Sequence, residues 1–280
     1  MGKVALVLEG GGLRGIFTAG VIDCFIDNKV DFDYVCGVSA GSCNTFAYVA
    51  KSEGFIKKSL MQLDKKNSFF GVRQMKDSHK YVNLDKVFYD YTEQYDFNVE
   101  GFKNSNVDWE FVATNIKTGK AEYLHSDDYD VARQMGVASC SLPILTSPVE
   151  LNGKLYLDGG MSDSVPVKHA LEKGYDKVVV VCTRKKGSFS KVKSAEKPIY
   201  NSLYKKYPNF LKAVNKRTKL YREQIGLCER LEEKGKVILI RPTLPEVKRL
   251  ESDMNELSLA YYHGYTKARE YIDAIKKWTI

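Results

Sequence analysis

The sequence predicts an α/β protein of three layers: a mostly parallel central sheet flanked by helices, with a helical C-terminal part. Three observations predict it. Short apolar runs alternate with stretches of helical period, the pattern of βα units. The first run, Val4–Leu8, is continuous rather than alternating, as in a strand covered on both faces. Glycine-rich turns, Gly10–Gly15 and Gly37–Gly41, stand where strands would hand over to helices.

The elements follow in order. Val4–Leu8 is the first strand, and a helix runs from about Gly15 to Asp27. Val30–Val38 carries the second strand, and a second helix starts near Ala40. Residues 54–106 hold many aromatics without a clear period and read as a helical excursion over one face. Trp109–Asn115 is a strand, and Gly119–Leu124 pairs with it. Tyr129–Ala138 is a helix that ends over Ser139–Leu142, before Pro143. Val149–Asp158 is a hairpin around Asn152-Gly153, the dipeptide of a tight two-residue turn. Pro166–Lys173 is a helix stopped by Gly174, and Lys177–Cys182 is a central strand. Residues 198–234 are mostly helical, Val237–Ile240 is a late strand, and a final helix spans about Ser252–Lys277.

The 280 residues are read as one domain: a core at about 4–183, a basic helical region at about 184–235, and a closing strand and helix at about 236–280. A hydrophobic fraction of 44% is enough for a full core and argues against disorder. Mean hydropathy is −0.34, and no apolar run reaches the roughly 18 residues of a membrane-spanning helix. The five-residue run Val4–Leu8 is too short for a secretory signal. The six cysteines have no Cys-x-x-Cys spacing and read as reduced, buried thiols of a cytoplasmic protein.

The net charge of +8 is local. Residues 184–222 hold 13 Lys or Arg and one acid, Glu196, whereas the rest of the chain holds 30 basic and 34 acidic residues. That segment is expected to make peripheral contact with an anionic membrane. Its apolar stripe, Tyr207, Phe210, Leu211, Val214 and Tyr221, is expected to pack on the core. No recognition motif accompanies the charge, so nucleic acid is not an expected partner.

Two motifs carry chemistry. Gly37-Val38-Ser39-Ala40-Gly41 has the G-x-S-x-G pattern of a nucleophile elbow between strand and helix. Gly37, Ala40 and Gly41 leave room for the sharp turn. The following helix aims its unpaired first N–H groups at the serine. Gly10-Gly11-Gly12-Leu13-Arg14-Gly15 follows the first strand and can form an anion nest or an oxyanion hole. It also matches G-x-G-x-x-G, so the alternative is a non-catalytic anion- or nucleotide-binding protein using the Gly10–Gly15 loop. That reading needs an acid at the end of the second strand, and Asp31 and Asp33 precede it.

A nucleophilic serine needs a base. His79, His125, His169 and His263 have no setting at a strand end or glycine-rich turn. The best-placed carboxylate is Asp158, ahead of Gly159 and Gly160. Read alone, Asp158-Gly159 is first a surface hairpin turn, since Asp-Gly is a common hairpin dipeptide. Only about 35 residues precede the elbow, too few for the strands of an α/β-hydrolase.

Four segments together resemble the bacterial patatin-like phospholipases: EGGGLRG at 9–15, GVSAGS at 37–42, ASCSLPILTSPV at 138–149 and YLDGGMSDSVPV at 156–167. The resemblance covers about residues 4–183. It implies a patatin-like fold and a serine hydrolase that cleaves lipid esters through a Ser-Asp dyad and an acyl-enzyme, without histidine, metal or cofactor. By that likeness Ser39 is the nucleophile and Asp158 the proton acceptor. Gly11, Gly12 and Ala40 form the oxyanion hole, and Gly10, Arg14, Gly15, Gly37, Gly41, Gly159 and Gly160 support the motifs. Asp163 departs from the pattern, since many relatives carry asparagine there.

Overall fold

The computed structural model describes residues 3–61, 68–71, 74, 76, 81–189 and 196–279. Eight strands form one sheet: β1 (Val4–Leu8), β2 (Tyr34–Val38), β3 (Asp108–Asn115), β4 (Ala121–Leu124), β5 (Val149–Leu151), β6 (Lys154–Asp158), β7 (Lys177–Val181) and β8 (Val237–Ile240). Their order is β5-β6-β3-β2-β1-β7-β8, with β4 also on β3. The run from β3 to β8 is parallel, and β4, β5 and β6 add antiparallel pairs at one end.

The helices are α1 (Gly15–Asp27), α2 (Ala40–Val49), α3 (Phe55–Met61), α4 (Tyr91–Gln94), α5 (Val99–Lys103), α6 (Tyr129–Cys140), α7 (Val167–Glu172), α8 (Lys197–Leu203), α9 (Pro208–Glu233), α10 (Met254–Arg269) and α11 (Ile272–Thr279). They cover both faces, which is why every residue of β1 and β2 is buried. Strand alternation sorts the side chains. Val4, Leu6 and Leu8 enter the core under α1, α2 and α10, while Ala5 and Val7 enter the one under α7 and α9.

The C-terminal part is helical and built into the same core. β8 extends the sheet beside β7, and α10 crosses α1 at backbone contact. A Cβ on Gly20 of α1 would strike the Tyr261 carbonyl, and one on Gly264 of α10 would strike the Phe17 carbonyl. Asp23 and Tyr261, hydrogen-bonded at 2.8 Å, sit within this crossing, and burial pushes Asp23 up to a pKa of about 6. The expected apolar stripe packs inward: Phe210 and Val214 are buried with Tyr207 and Leu211 beside them, and Tyr221 packs on the core under α7 and α9.

Two boundaries differ from expectation. β2 begins at Tyr34 rather than Val30, because Val30 N bonds Phe25 O at 2.9 Å and the Tyr48 hydroxyl takes Val30 O and Phe32 N. Side-chain and turn bonds there replace a strand ladder. The closing helix is two, α10 and α11, because Tyr271 N bonds Ala268 O and tightens the chain at the join. The excursion at 54–106 holds α3, α4, α5 and a single π-helical turn at Lys86–Asp90. Residues 62–67, 72–73, 75 and 77–80 of it lie outside the described residues.

Helices in backbone contact tolerate no added methyl group. Gly20→Ala or Gly264→Ala should each cost about 2 kcal/mol or more in urea unfolding. Gly226→Ala, within α9 where a Cβ would meet only the Arg230 guanidinium, should be neutral or stabilising by up to about 1 kcal/mol. Equal effects at all three positions would disprove the contact.

Candidate active site

The register of β3 brings two distant segments together. Val112 pairs with Val38, the last residue of β2, and Ala113 pairs with Asp158, the last residue of β6. β4 pairs with residues on both sides of this point and so occupies the opposite edge. β2 and β6 therefore share one edge of β3, running toward each other. Their C-terminal ends meet there, and Ser39 and Asp158 line one pocket.

Ser39 follows β2 and precedes α2, with φ 55° and ψ −122°. A non-glycine residue there is strained, and the surroundings hold it. Its N–H donates to Ser139 Oγ at 3.0 Å, and Ser139 Oγ in turn donates to Val112 O at 2.6 Å. Ser42 Oγ donates to Gly37 O at 2.9 Å. The turn is tight enough that a Cβ on Gly41 would strike Leu8 O and one on Gly37 would strike Gly41 O. Gly15 faces the Ala40 methyl group, so helix α1 and the elbow pack closely.

Asp158 is 2% exposed, which excludes the surface-turn reading. Its N–H bonds Ser141 O at 2.7 Å, and its C=O accepts from Thr114 Oγ1 at 2.8 Å. Carboxylate Oδ1 accepts the Gly160 N–H at 2.8 Å. Oδ2 is buried and has no hydrogen bond within 3.5 Å among the described residues. Burial raises the Asp158 pKa, while the nearby Ser39 hydroxyl, Arg217, the Gly160 N–H and Arg249 oppose the rise. The Ser39 hydroxyl acts directly on the Asp158 carboxyl, so the two side chains are neighbours within the pocket. Asp163 bonds the Tyr123 hydroxyl at 2.7 Å and Gln224, and its own N–H closes the turn onto Gly159 O.

Gly10, Gly11 and Gly12 line the same pocket. Gly12 has φ +61°, and a Cβ there would meet Arg249 at 2.6 Å. Leu13 N donates to Arg249 O at 2.9 Å, so the segment around residue 249 lies across the loop. A second cavity, about 870 Å³ counted to its open mouth, meets the first at Gly12, Ser39, Leu142 and Arg249. Its wall is apolar, with Leu13, Phe46, Phe55, Leu60, Phe69 and Phe88 among its residues. Ser39 thus stands between a polar pocket and an apolar one.

A family model described as patatin-like phospholipase matches residues 6–171. The chain belongs to the patatin-like phospholipases. Residues 207–280 match a second model, DUF6363, a domain of unknown function. The uncharacterized protein YjjU of Escherichia coli is 34% identical over 200 residues, a stretch covering 65% of this chain and 52% of that protein. The lysophospholipase NTE1 of Meyerozyma guilliermondii is 30% identical over 189 residues, 64% of this chain and 12% of that protein. This chain thus corresponds to about half of the first relative and to a small part of the second. The crystal structure of VipD from Legionella pneumophila superposes with a TM-score of 0.56 at 13% identity, over 98% of this chain and 67% of that one. That likeness shows the fold.

In this patatin-like site the other sequence candidates fall into place by position. His125 bonds Trp109 O, His169 bonds Glu110, and His263 neighbours Thr243; none lines the Ser39 pocket. His79 lies outside the described residues. Asp33 accepts from Val4 N at 2.7 Å and Asp31 pairs with Lys51, so neither faces the glycine loop as a ribose-binding acid would. The cysteines are free, five buried and Cys43 half-buried.

Sequence reasoning missed Glu9, Ser139, Arg184, Arg217 and Arg249 as pocket or elbow residues. Glu9 is buried, and its carboxylate accepts from Thr183 N at 2.7 Å. Ser139 stood inside a segment noted for its likeness but carried no role. The three arginines were indistinguishable from a solvated basic surface.

A carboxyl whose folded pKa exceeds its unfolded value stabilises the fold below the unfolded pKa and loses that contribution as pH rises through the folded one. Asp158 is such a group. Asp158→Asn, which keeps the Oδ1 acceptor, should raise Tm at about pH 7 and raise it less at about pH 4. Thermal melts at the two pH values check this; a lower Tm at neutral pH would contradict it.

Proposed function

We propose that the protein is a serine hydrolase of lipid esters in which Ser39 and Asp158 act as a dyad through an acyl-enzyme. The observation that carries this is the buried, unpartnered Asp158 Oδ2 beside a serine on a strained elbow, at the meeting of a polar and an apolar pocket. Ser39 Oγ attacks the ester carbonyl and Asp158 Oδ2 takes its proton. The carbonyl oxygen becomes an oxyanion held by the N–H groups of Gly11, Gly12 and Ala40, each such donor worth about 3 kcal/mol of barrier. Asp158 returns the proton to the leaving alcohol. Water, deprotonated by Asp158, then attacks the acyl-enzyme; the bond from the acyl carbon to Ser39 Oγ breaks, Asp158 gives the proton to Oγ, and a fatty acid leaves. Burial serves this role: a carboxylate with a raised pKa is a stronger base than one in water.

A fluorophosphonate probe should label the wild type, and Ser39→Ala should neither label nor retain more than about one thousandth of kcat on a medium-chain ester. A folded wild type that never labels would leave the Gly10–Gly15 loop as a non-catalytic anion site. The acid limb of kcat/KM should lie above the ordinary carboxylate range, with activity rising with pH as Asp158 ionises. A limb within the ordinary carboxylate range would argue against Asp158 as the base.

Access from an anionic lipid surface through residues 184–222 belongs to the same reading. Ile199 and Leu203 of α8 are exposed beside Lys205 and Lys206. Ile144, also exposed, is tied to Tyr204 by a 3.2 Å bond to the hydroxyl, and its loop carries Leu142 into both pockets. Co-sedimentation should be stronger with vesicles containing anionic lipid than with neutral ones, and weaker for Lys205→Glu/Lys206→Glu. Binding indifferent to lipid charge would refute this route.

A further inference from the structure

We propose that Thr183 is a positioning residue for the hydrolysis: its buried hydroxyl fixes the Gly10–Gly11 peptide so that the Gly11 N–H faces the reacting carbonyl oxygen. The inference rests on the hydrolase reading above and adds to it a residue outside the glycine loop, the elbow and the Asp158 turn.

Thr183 follows β7, at the end of the sheet where the glycine loop leaves β1. Leu8 and Val181 are the last pair of that ladder, and three bonds carry the contact past it. Glu9 N–H donates to Val181 O at 3.0 Å. Thr183 N–H donates to the buried Glu9 carboxylate at 2.7 Å. Thr183 Oγ1 donates to Gly10 O at 2.9 Å. The hydroxyl is the donor, because a carbonyl oxygen only accepts. A threonine side chain is β-branched and stiff at χ1, so a backbone held by Glu9 aims the hydroxyl in one direction.

A trans peptide is planar, with its C=O and N–H on opposite sides. Among the described residues no peptide bond is cis. Since Gly10 C=O points at Thr183, Gly11 N–H points away from it. Thr183 is 1% exposed and does not line the Ser39 pocket, whereas Gly10, Gly11 and Gly12 do. The loop lies between the two residues: a Cβ on Gly11 would stand 2.6 Å from Thr183 Oγ1, and a Cβ on Gly10 would stand 3.0 Å from Ser39 Cβ. Away from Thr183 is therefore toward the pocket. The flanking amides are spent, Glu9 N–H on Val181 O and Leu13 N–H on Arg249 O at 2.9 Å. Gly11 and Gly12 N–H, between them, donate to no described residue. Such free donors can meet charge that develops only in the transition state. A peptide between two glycines has no Cβ to resist rotation, so an outside group must hold it. The Thr183 hydroxyl is placed to do so.

The test compares Thr183→Val, which keeps the shape and loses the hydroxyl, with Thr183→Ser, which keeps the hydroxyl, on an octanoyl ester. Thr183→Val should lower kcat by about 100-fold and leave KM within about twofold, because the N–H acts on the transition state alone. Thr183→Ser should stay within about tenfold of wild type, its hydroxyl being less firmly aimed. Two further readouts separate positioning from a damaged fold. Octylboronic acid, which forms a tetrahedral anion on the serine, should lose affinity for Thr183→Val by about the factor lost in kcat/KM, while octanoate, the product, should bind as to wild type. Crystal structures should show Gly10 C=O directed at residue 183 in wild type and turned from it in Thr183→Val. A Val variant with wild-type kcat, a Ser variant as slow as Val, equal losses for boronate and octanoate, or a Gly10 carbonyl unmoved in the Val variant would each overturn the proposal. If wild type neither cleaves the ester nor labels with a fluorophosphonate, the hydrolase reading is what fails, and the two crystal structures still decide whether Thr183 sets the peptide.

Discussion

The structure turns on one edge of one strand. β3 is longer than β2, and where β2 stops at Val38 the exposed edge of β3 is taken up by β6 from the opposite direction. Two chain segments about 120 positions apart therefore end head to head, one residue apart in register. A sheet edge left unpaired in a buried core would carry unsatisfied N–H and C=O groups. The pairing that satisfies that edge is the same pairing that juxtaposes Ser39 and Asp158. The geometry of the pocket and the backbone hydrogen bonding are here a single requirement.

Around that edge the site is made rigid by small residues and buried hydroxyls. Ser139 links the Ser39 amide to Val112, the residue opposite the end of β2. Thr114 and Ser141 pin the backbone of Asp158 from both sides. The glycines at 37 and 41 let α2 begin almost in contact with β1. A strained elbow persists only where its neighbours outvote it, and this one is held by the strand on one side and α6 on the other. The cost of the arrangement is a buried carboxylate whose pKa burial raises, with one oxygen that meets no hydrogen-bond donor at bonding geometry among the described residues.

Electrostatics divides the chain unevenly. Of the cations between 184 and 222, Arg184 and Arg217 turn inward to the pocket, whereas Lys205, Lys206 and Lys212 remain exposed. Net charge alone could not separate these groups. An arginine in a helix of mean basic character looks the same in sequence whether it faces water or a buried carboxylate, because its helical position says which face it occupies and not what lies opposite.

Much of this molecule was legible in residues 4–50 and 108–183. Continuous apolar runs such as Val4–Leu8 and Val178–Val181, the Asn152-Gly153 turn and the small residues around Ser39 are local signals, dictated by backbone sterics and by burial on both faces. They determined the class of fold, most of its elements and the elbow. From its local pattern Asp158 was a dipeptide that suits a surface turn, and only the resemblance of its segment to the patatin-like phospholipases paired it with Ser39; its depth of burial came from the sheet that closes over it. Tertiary structure alone decided where the arginines of the last third of the chain point and why the closing helix breaks. Those outcomes depend on contacts between positions far apart in sequence, and no local pattern encodes the partner on the other side.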